Sequence, residues 1–424
     1  MIKQLANGIQ VEIIEDNKFN TTRFEIDFFT KIRPQETTTR KLLSNILSHS
    51  CKDYPRMVDI SRKTMDLYGA DLNCRNRQWS NLNNMNFSME IINGNSEIVA
   101  GASLFKDAFE LVEKLILTPL VDDEGTEFLP KNFELEKDSL VSNLISMKDN
   151  KELASYLQLW KLLFHDQPEF ATPVVGDLDE IKQVTNKQIY EHYQKMLKND
   201  AIKITVVGNV NADEILQILE NSDLVQLPCE NREEIDWQRQ VINLQEPKQL
   251  VEEQKVNQSR LALGYEIDSL NFKNNIAYQL FNLALGGDDQ SLLFQEVREK
   301  YSLAYSINSQ YNAFSNIITI HVGTQKEALK QVQTLTDEQI KKLQDNQISD
   351  ETFEHIKKVL ITRRKLANDR ITSKLNRSVW KYLKPQNVID DDQYLELVQQ
   401  VSKQDIQAVA QHMRQVASYT LIGE

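Results

Sequence analysis

Phe133-Glu134-Leu135-Glu136-Lys137 opens a stretch that runs to Leu163, and 220 residues later Phe353-Glu354-His355-Ile356-Lys357 opens a second that runs to Leu383. Read without gaps, Leu140 falls on Leu360, Asp149 on Asp369, and Trp160-Lys161 on Trp380-Lys381. Matched tryptophans are hard to obtain by chance in a chain that has only four. Each stretch reads as one long helix, and the two as copies of each other. A repeat of this length is too long for a solenoid unit and points to two homologous domains in one chain of 424 residues. That size agrees, because a single core usually stops growing at roughly 250–300 residues.

Around the first copy, apolar residues alternate at Ile9 to Ile14 and Phe24 to Phe28, the period of half-buried antiparallel strands. Helical spacing follows at 40–47 and 57–67, strand-like runs at 71–75 and 85–92, and a helix at 103–117. A helix at 185–197 and a strand at 202–207 close the first half. The second half repeats the order, with strand 259–265, helix 274–285, strands 303–309 and 316–322, helices 326–345 and 349–369, helix 403–413 and strand 419–422. The expected fold class is α+β, two homologous domains related by internal duplication, each a largely antiparallel sheet with helices packed on one face. The domains expected are 1–221 and 249–424, joined by a linker at 222–248 that contains Pro228, Cys229, Pro247 and many charges.

Composition is that of a globular protein, 41% hydrophobic and 26% charged, and no run reaches the roughly 18 apolar residues of a membrane span. The amino terminus lacks the apolar stretch of a signal peptide, which favours a cytoplasmic location. Cys51, Cys74 and Cys229 show no C-x-x-C spacing, so neither a disulfide framework nor a cysteine zinc site is indicated. A net charge of −13 argues against a nucleic-acid surface. The basic run Arg363-Arg364-Lys365 reads as a solvated helix face.

The string from Ser291 to Ser306, with Val297-Arg298-Glu299 and Ser302-Leu303-Ala304-Tyr305 after Gly286-Gly287, is similar to the carboxy-terminal signature of the pitrilysin or insulinase family of zinc metallopeptidases. With the order of elements, the chain resembles that family over nearly its whole length, in particular the bacterial two-domain relatives of mitochondrial processing peptidase. Active members carry H-x-x-E-H on the first long helix. Two His at i and i+4 share a face and bind zinc, while the Glu activates the metal-bound water. Anchoring on Tyr54-Pro55 places the five motif positions on Lys41, Leu42, Leu43, Ser44 and Asn45. The distal Glu ligand falls on Asn143, after Ser142. None of Lys41, Ser44, Asn45 and Asn143 can do the family's work, so no catalytic or metal residue of its own, and no cofactor, is expected. His49 with Cys51 is a conceivable replacement pair, but a lone His without a partner at helical spacing reads as a surface side chain.

The resemblance implies that Arg298 and Tyr305 match the Arg and Tyr that hold the substrate carbonyl and help stabilise its oxyanion. Ser302 stands where the family has Gly. Asn73, in Asn73-Cys74, falls where relatives begin an edge strand that lies beside the substrate backbone. Together these imply a non-catalytic subunit of a heterodimeric metallopeptidase. A homologous partner chain with H-x-x-E-H would hold the zinc, and small or unfolded peptides would be hydrolysed. The alternative is a peptide-binding or structural homologue with no proteolytic role.

Overall fold

A computed structural model describes residues 1–5, 7–93, 103–227, 232–267, 275–385 and 389–423. Pro228 and Cys229 of the expected linker, and Asn274 at the expected start of a helix, lie outside the described residues. Contacts divide the chain into two compact units. The first comprises Met1–Ile145, Thr172–Gln238 and Asn368–Val388, the second Ser146–Ala171, Arg239–Ala367 and Ile389–Glu424.

The sheet of the first unit contains β1 (Ile2–Gln4), β2 (Gln10–Glu15), β3 (Thr21–Lys31), β4 (Asp71–Trp79), β5 (Leu82–Ile92) and β6 (Ala201–Gly208), in the order β1-β2-β6-β3-β5-β4. Only the β2/β6 pair is parallel. The second unit contains β7 (Lys248–Gln254), β8 (Ser259–Ile267), β9 (Ala304–Asn312), β10 (Ile317–Thr324) and β11 (Met413–Gly423), in the order β7-β11-β8-β10-β9, with β7/β11 the parallel pair. Without β1 the two orders coincide strand for strand, so the repeat in the sequence is also a repeat of topology. Each unit is an α+β body with a mixed sheet and its helices gathered on one face, except for one helix that packs on the other. In the first, Phe24 on β3 meets Phe105 and Phe109 of helix Ser103–Leu117 at centroid distances of 5.4 and 5.5 Å.

Two expectations need correction. The repeated stretch is two helices in each copy, not one. Pro130–Asp149 gives way to Lys151–Leu163 at Asn150, whose side chain accepts from the Leu153 amide at 3.1 Å as an N-cap. In the second copy Asp350–Asn368 gives way to Ile371–Leu383 at Arg370, in extended conformation. The break has a reason in burial. Pro130–Asp149 buries Phe133, Leu140 and Leu144 within the first unit, whereas Leu159, Trp160 and Leu163 join the core of the second with Ala417 and Tyr419 of β11. Reciprocally, Leu375 of Ile371–Leu383 packs with Val207 of β6 in the first unit. Each half of the chain thus lends one helix to the other half's sheet. The approach is close. A Cβ on Gly264 of β8 would lie 2.9 Å from Leu163 Cδ2.

The second correction concerns β3, read as half-buried. Glu25 and Asp27, on the side away from Phe24 and Phe28, are also buried, because helix Ile371–Leu383 covers that face. Tyr382 packs 5.7 Å from Phe29, and Ser378 receives a hydrogen bond from the buried ammonium of Lys203 at 2.7 Å. Glu12 accepts from the same ammonium at 3.1 Å, so this cation is paired where burial would otherwise be costly. Among the described residues, no helix is long and apolar enough to cross a membrane.

Candidate functional site

Helix Thr37–His49 buries Leu42, Leu43, Ile46 and Leu47 and is pinned by Arg40. The Arg40 guanidinium reaches Asp200 at 2.5 Å, the Phe28 carbonyl at 2.8 Å and Asn83 Oδ1 at 3.1 Å, all buried. Burial pushes the Asp200 carboxyl up to about 6 even though Arg40 opposes the shift. The pinned helix carries Lys41 and Asn45, the residues expected at the positions of the family's histidines. They are bonded to each other: Lys41 Nζ donates to Asn45 Oδ1 at 2.9 Å. Ser44, at the position of the catalytic Glu, is buried and donates to the Lys41 carbonyl at 2.7 Å. At the expected motif positions the side chains are thus an ammonium and an amide bonded to each other, not a pair of metal ligands. Burial holds the Lys41 pKa below its ordinary value, with Cys74 and Glu136 opposing.

Helix Pro130–Asp149 carries Asn143 exposed and ties Ser142 to its own backbone at Asp138, 2.9 Å away. Its buried acid is Glu136, which meets His49 Nδ1 at 2.8 Å through one oxygen and leaves the other without a hydrogen-bond partner. His49 thus contacts Glu136 rather than Cys51, which sits in an apolar cluster with Ile60 and Leu115, its thiol pushed up by burial. Among the described residues, no group of three or more His, Cys, Asp or Glu could hold a metal ion.

Asn73 lies on β4, the outer strand of its sheet, paired on one side only through Ser88 of β5. Its amide donates to Asp71 at 2.9 Å. Burial pushes the neighbouring Cys74 thiol up to about 12.

In the second unit, Phe294–Lys300 winds as a π-helix, which the sequence did not suggest. Val297 points into the core, while the Arg298 guanidinium lies over the Phe294 ring at 4.7 Å with its side chain 44% exposed. The turn ends at Ser302, whose φ of +53° explains the Gly of the family pattern. The Ser302 and Leu303 amides return to the carbonyls of Arg298 and Val297 at 3.1 and 3.0 Å. The chain then enters β9, also an outer strand and packed against the π-helical turn, where Tyr305 is 59% exposed and accepts a hydrogen bond from Gln325. Gln325 gave no signal in the sequence, because it reaches Tyr305 from 20 residues away. The elements carrying Arg298 and Tyr305 are thus brought together, and neither side-chain head is tied into the core.

The duplicated α+β fold, and the absence of a metal-binding cluster among the described residues, frame the comparisons with known proteins. Residues 183–360 match the family described as the peptidase M16 inactive domain, which supports an inactive M16-type metallopeptidase-like domain over that stretch. It is 23% identical over 423 residues, 100% of this chain and 97% of the relative, to "Probable inactive metalloprotease YmfF" of Bacillus subtilis (strain 168). An uncharacterized zinc protease of Rickettsia bellii (strain RML369-C) is 22% identical over 290 residues, 67% of this chain and 68% of that one. Among solved structures, a conserved protein from Enterococcus faecalis V583 is similar with a TM-score of 0.90 and 27% identity, over 100% of this chain and 98% of that one. A peptidase M16 inactive domain from Pseudomonas fluorescens shares the fold at a TM-score of 0.79 and 16% identity, over 100% and 98%.

Proposed function

We propose that this chain is the non-catalytic subunit of a heterodimeric zinc metallopeptidase of the two-domain processing-peptidase type. It would present Arg298 and Tyr305 to a homologous partner that carries H-x-x-E-H. The observation that supports this reading is a contrast within the chain. The Lys41–Asn45 hydrogen bond fills the metal-ligand positions, while Arg298 and Tyr305 keep half-exposed heads on a π-turn and an outer strand. In the partner's site, zinc-bound water would attack the scissile carbonyl of a small or unfolded peptide. Arg298 and Tyr305 would donate to the oxygen on which negative charge develops, a role worth about 10²–10³ in rate per donor. Asn73 on the outer strand β4 would align a peptide backbone by strand addition.

The test uses this chain with a partner bearing the intact motif. Arg298→Ala or Tyr305→Phe should leave assembly intact and lower kcat by about 10²-fold or more. If both variants cleave at the native rate, the side chains take no part. The unpaired edge of β4 would then favour the second reading, a peptide-binding homologue without hydrolysis.

A further inference from the structure

The second unit has its own counterpart of the abandoned metal position. In the first unit that position lies on helices Thr37–His49 and Pro130–Asp149. The matching pair in the second is Ile276–Leu285 and Asp350–Asn368, and between these two helices lies a cavity of about 320 Å³. Arg363, 220 residues on from Asn143, stands at its mouth, with Arg364 beside it. The expectation of a solvated basic face holds for Arg363 but not for Arg364. Arg364 stacks on Tyr394 at 4.6 Å and is only 20% exposed.

The wall chemistry selects the ligand. No His, Cys, Asp or Glu lines the cavity, and two guanidinium groups do, so a metal cation is disfavoured. Leu283 and Leu360 supply apolar surface, Tyr311 and Tyr394 aromatic surface, and Gln279 and Asn282 amides. The walls are held in place from outside. Tyr311 stacks on Tyr278 at 5.5 Å, Tyr394 donates to Gln279 Oε1 at 3.1 Å, and Asn282 Oδ1 accepts from Ser309 at 2.9 Å. Each arginine is anchored on one side only. Arg363 donates through one terminal nitrogen to the Gly287 carbonyl at 3.1 Å and to Asp288 at 3.4 Å, and Arg364 donates to Asp391 at 2.7 Å and the Ile389 carbonyl at 3.3 Å. A guanidinium has five N–H donors in a planar fork, so both keep donors for an acceptor in the cavity.

We infer that this cavity binds a carboxylate attached to an apolar or aromatic group, with the carboxy terminus of a peptide as the ligand of choice. Asp288 and Asp391 already offset the two positive charges, which leaves a site suited to a singly charged planar anion rather than to a phosphate dianion. The volume, at the lower end of the roughly 300–1,000 Å³ of ligand pockets, suits one or two residues. The site is separate from Arg298 and Tyr305, and its occupation does not require a zinc-bearing partner.

Calorimetric titration of the full chain with acetyl-Ala-Phe, its carboxamide, phenylacetate and inorganic phosphate tests the assignment. The free acid should bind about tenfold or more tighter than the amide, and Arg363→Gln should abolish that preference without moving the melting temperature, since Arg363 is 53% exposed. Phenylacetate binding as tightly as the dipeptide would support carboxylate recognition with a free acid as the source. Equal binding of acid and amide, an undiminished preference in Arg363→Gln, or phosphate outcompeting the dipeptide would each overturn it. Should Arg363→Gln fold poorly, the acid-against-amide comparison on the native chain decides alone.

Discussion

Asp27 offers a sharp test of the buried polar face beneath helix Ile371–Leu383. Its carboxyl is fully buried, and burial, with neighbouring Glu25 adding to it, raises its pKa from 3.8 to about 6, while the amides of Asn84 and Asn86 donate to one oxygen at 2.9 and 2.7 Å. A carboxyl whose folded pKa lies above its unfolded value gives stability that is fully present below the unfolded value. That stability is lost as pH rises through the folded one. At pH 7 the loss is about two pKa units at roughly 1.4 kcal/mol each, or about 3 kcal/mol. Asp27→Asn cannot ionise and keeps an oxygen for the two amides. It should therefore stabilise the protein by about 3 kcal/mol at pH 7, roughly half as much at pH 5 and a small fraction of it at pH 4. Urea unfolding followed by tryptophan fluorescence reads this unit, because Trp79 and Trp380 lie 5.8 Å apart within it. A gain independent of pH, or a loss at pH 7, would refute the reasoning.

Ser302→Gly should raise stability by about 1 kcal/mol in thermal unfolding, because it relieves a left-handed backbone at φ +53°. Gly264→Ala should cost about 1–2 kcal/mol, since the new methyl would meet Leu163 at 2.9 Å, and the loss should shrink when Leu163→Ala is combined with it in a double-mutant cycle. Restoring the family's ligands with Lys41→His, Ser44→Glu, Asn45→His and Asn143→Glu should produce a chain that retains about one zinc after dialysis, measured by mass spectrometry. Returning only position 41 to Lys in that variant should release the metal.

The duplication was legible because Trp160 and Trp380 sit in register, and β2 and β3 were legible from alternation at Ile9 to Ile14 and Phe24 to Phe28, while the order of strands in the sheets was not. What escaped was the partner of each buried face. Helical spacing shows that Leu159, Trp160 and Leu163 must be covered but not by which sheet, so the exchange of Lys151–Leu163 and Ile371–Leu383 was invisible. Glu25 and Asp27 looked like the solvent side of a strand for the same reason: the helix that covers them arrives from about 350 residues later in the chain. The sequence showed residues unsuited to zinc at the expected positions Lys41, Ser44 and Asn45, whereas the Lys41–Asn45 bond and the Glu136–His49 contact needed coordinates. At the second site, Ser302 in place of Gly marked the one backbone turn that differs from the family pattern, and its φ explains the preference.

On the proposed function, this chain lacks zinc chemistry of its own and completes a partner's site. Zinc content and cleavage of an unfolded peptide, measured for the purified chain alone and after mixing with a homologous H-x-x-E-H chain, test it most directly. The account predicts no bound zinc and no cleavage alone, and cleavage in the mixture that Arg298→Ala in this chain removes. Stoichiometric zinc and turnover by the isolated chain would contradict it.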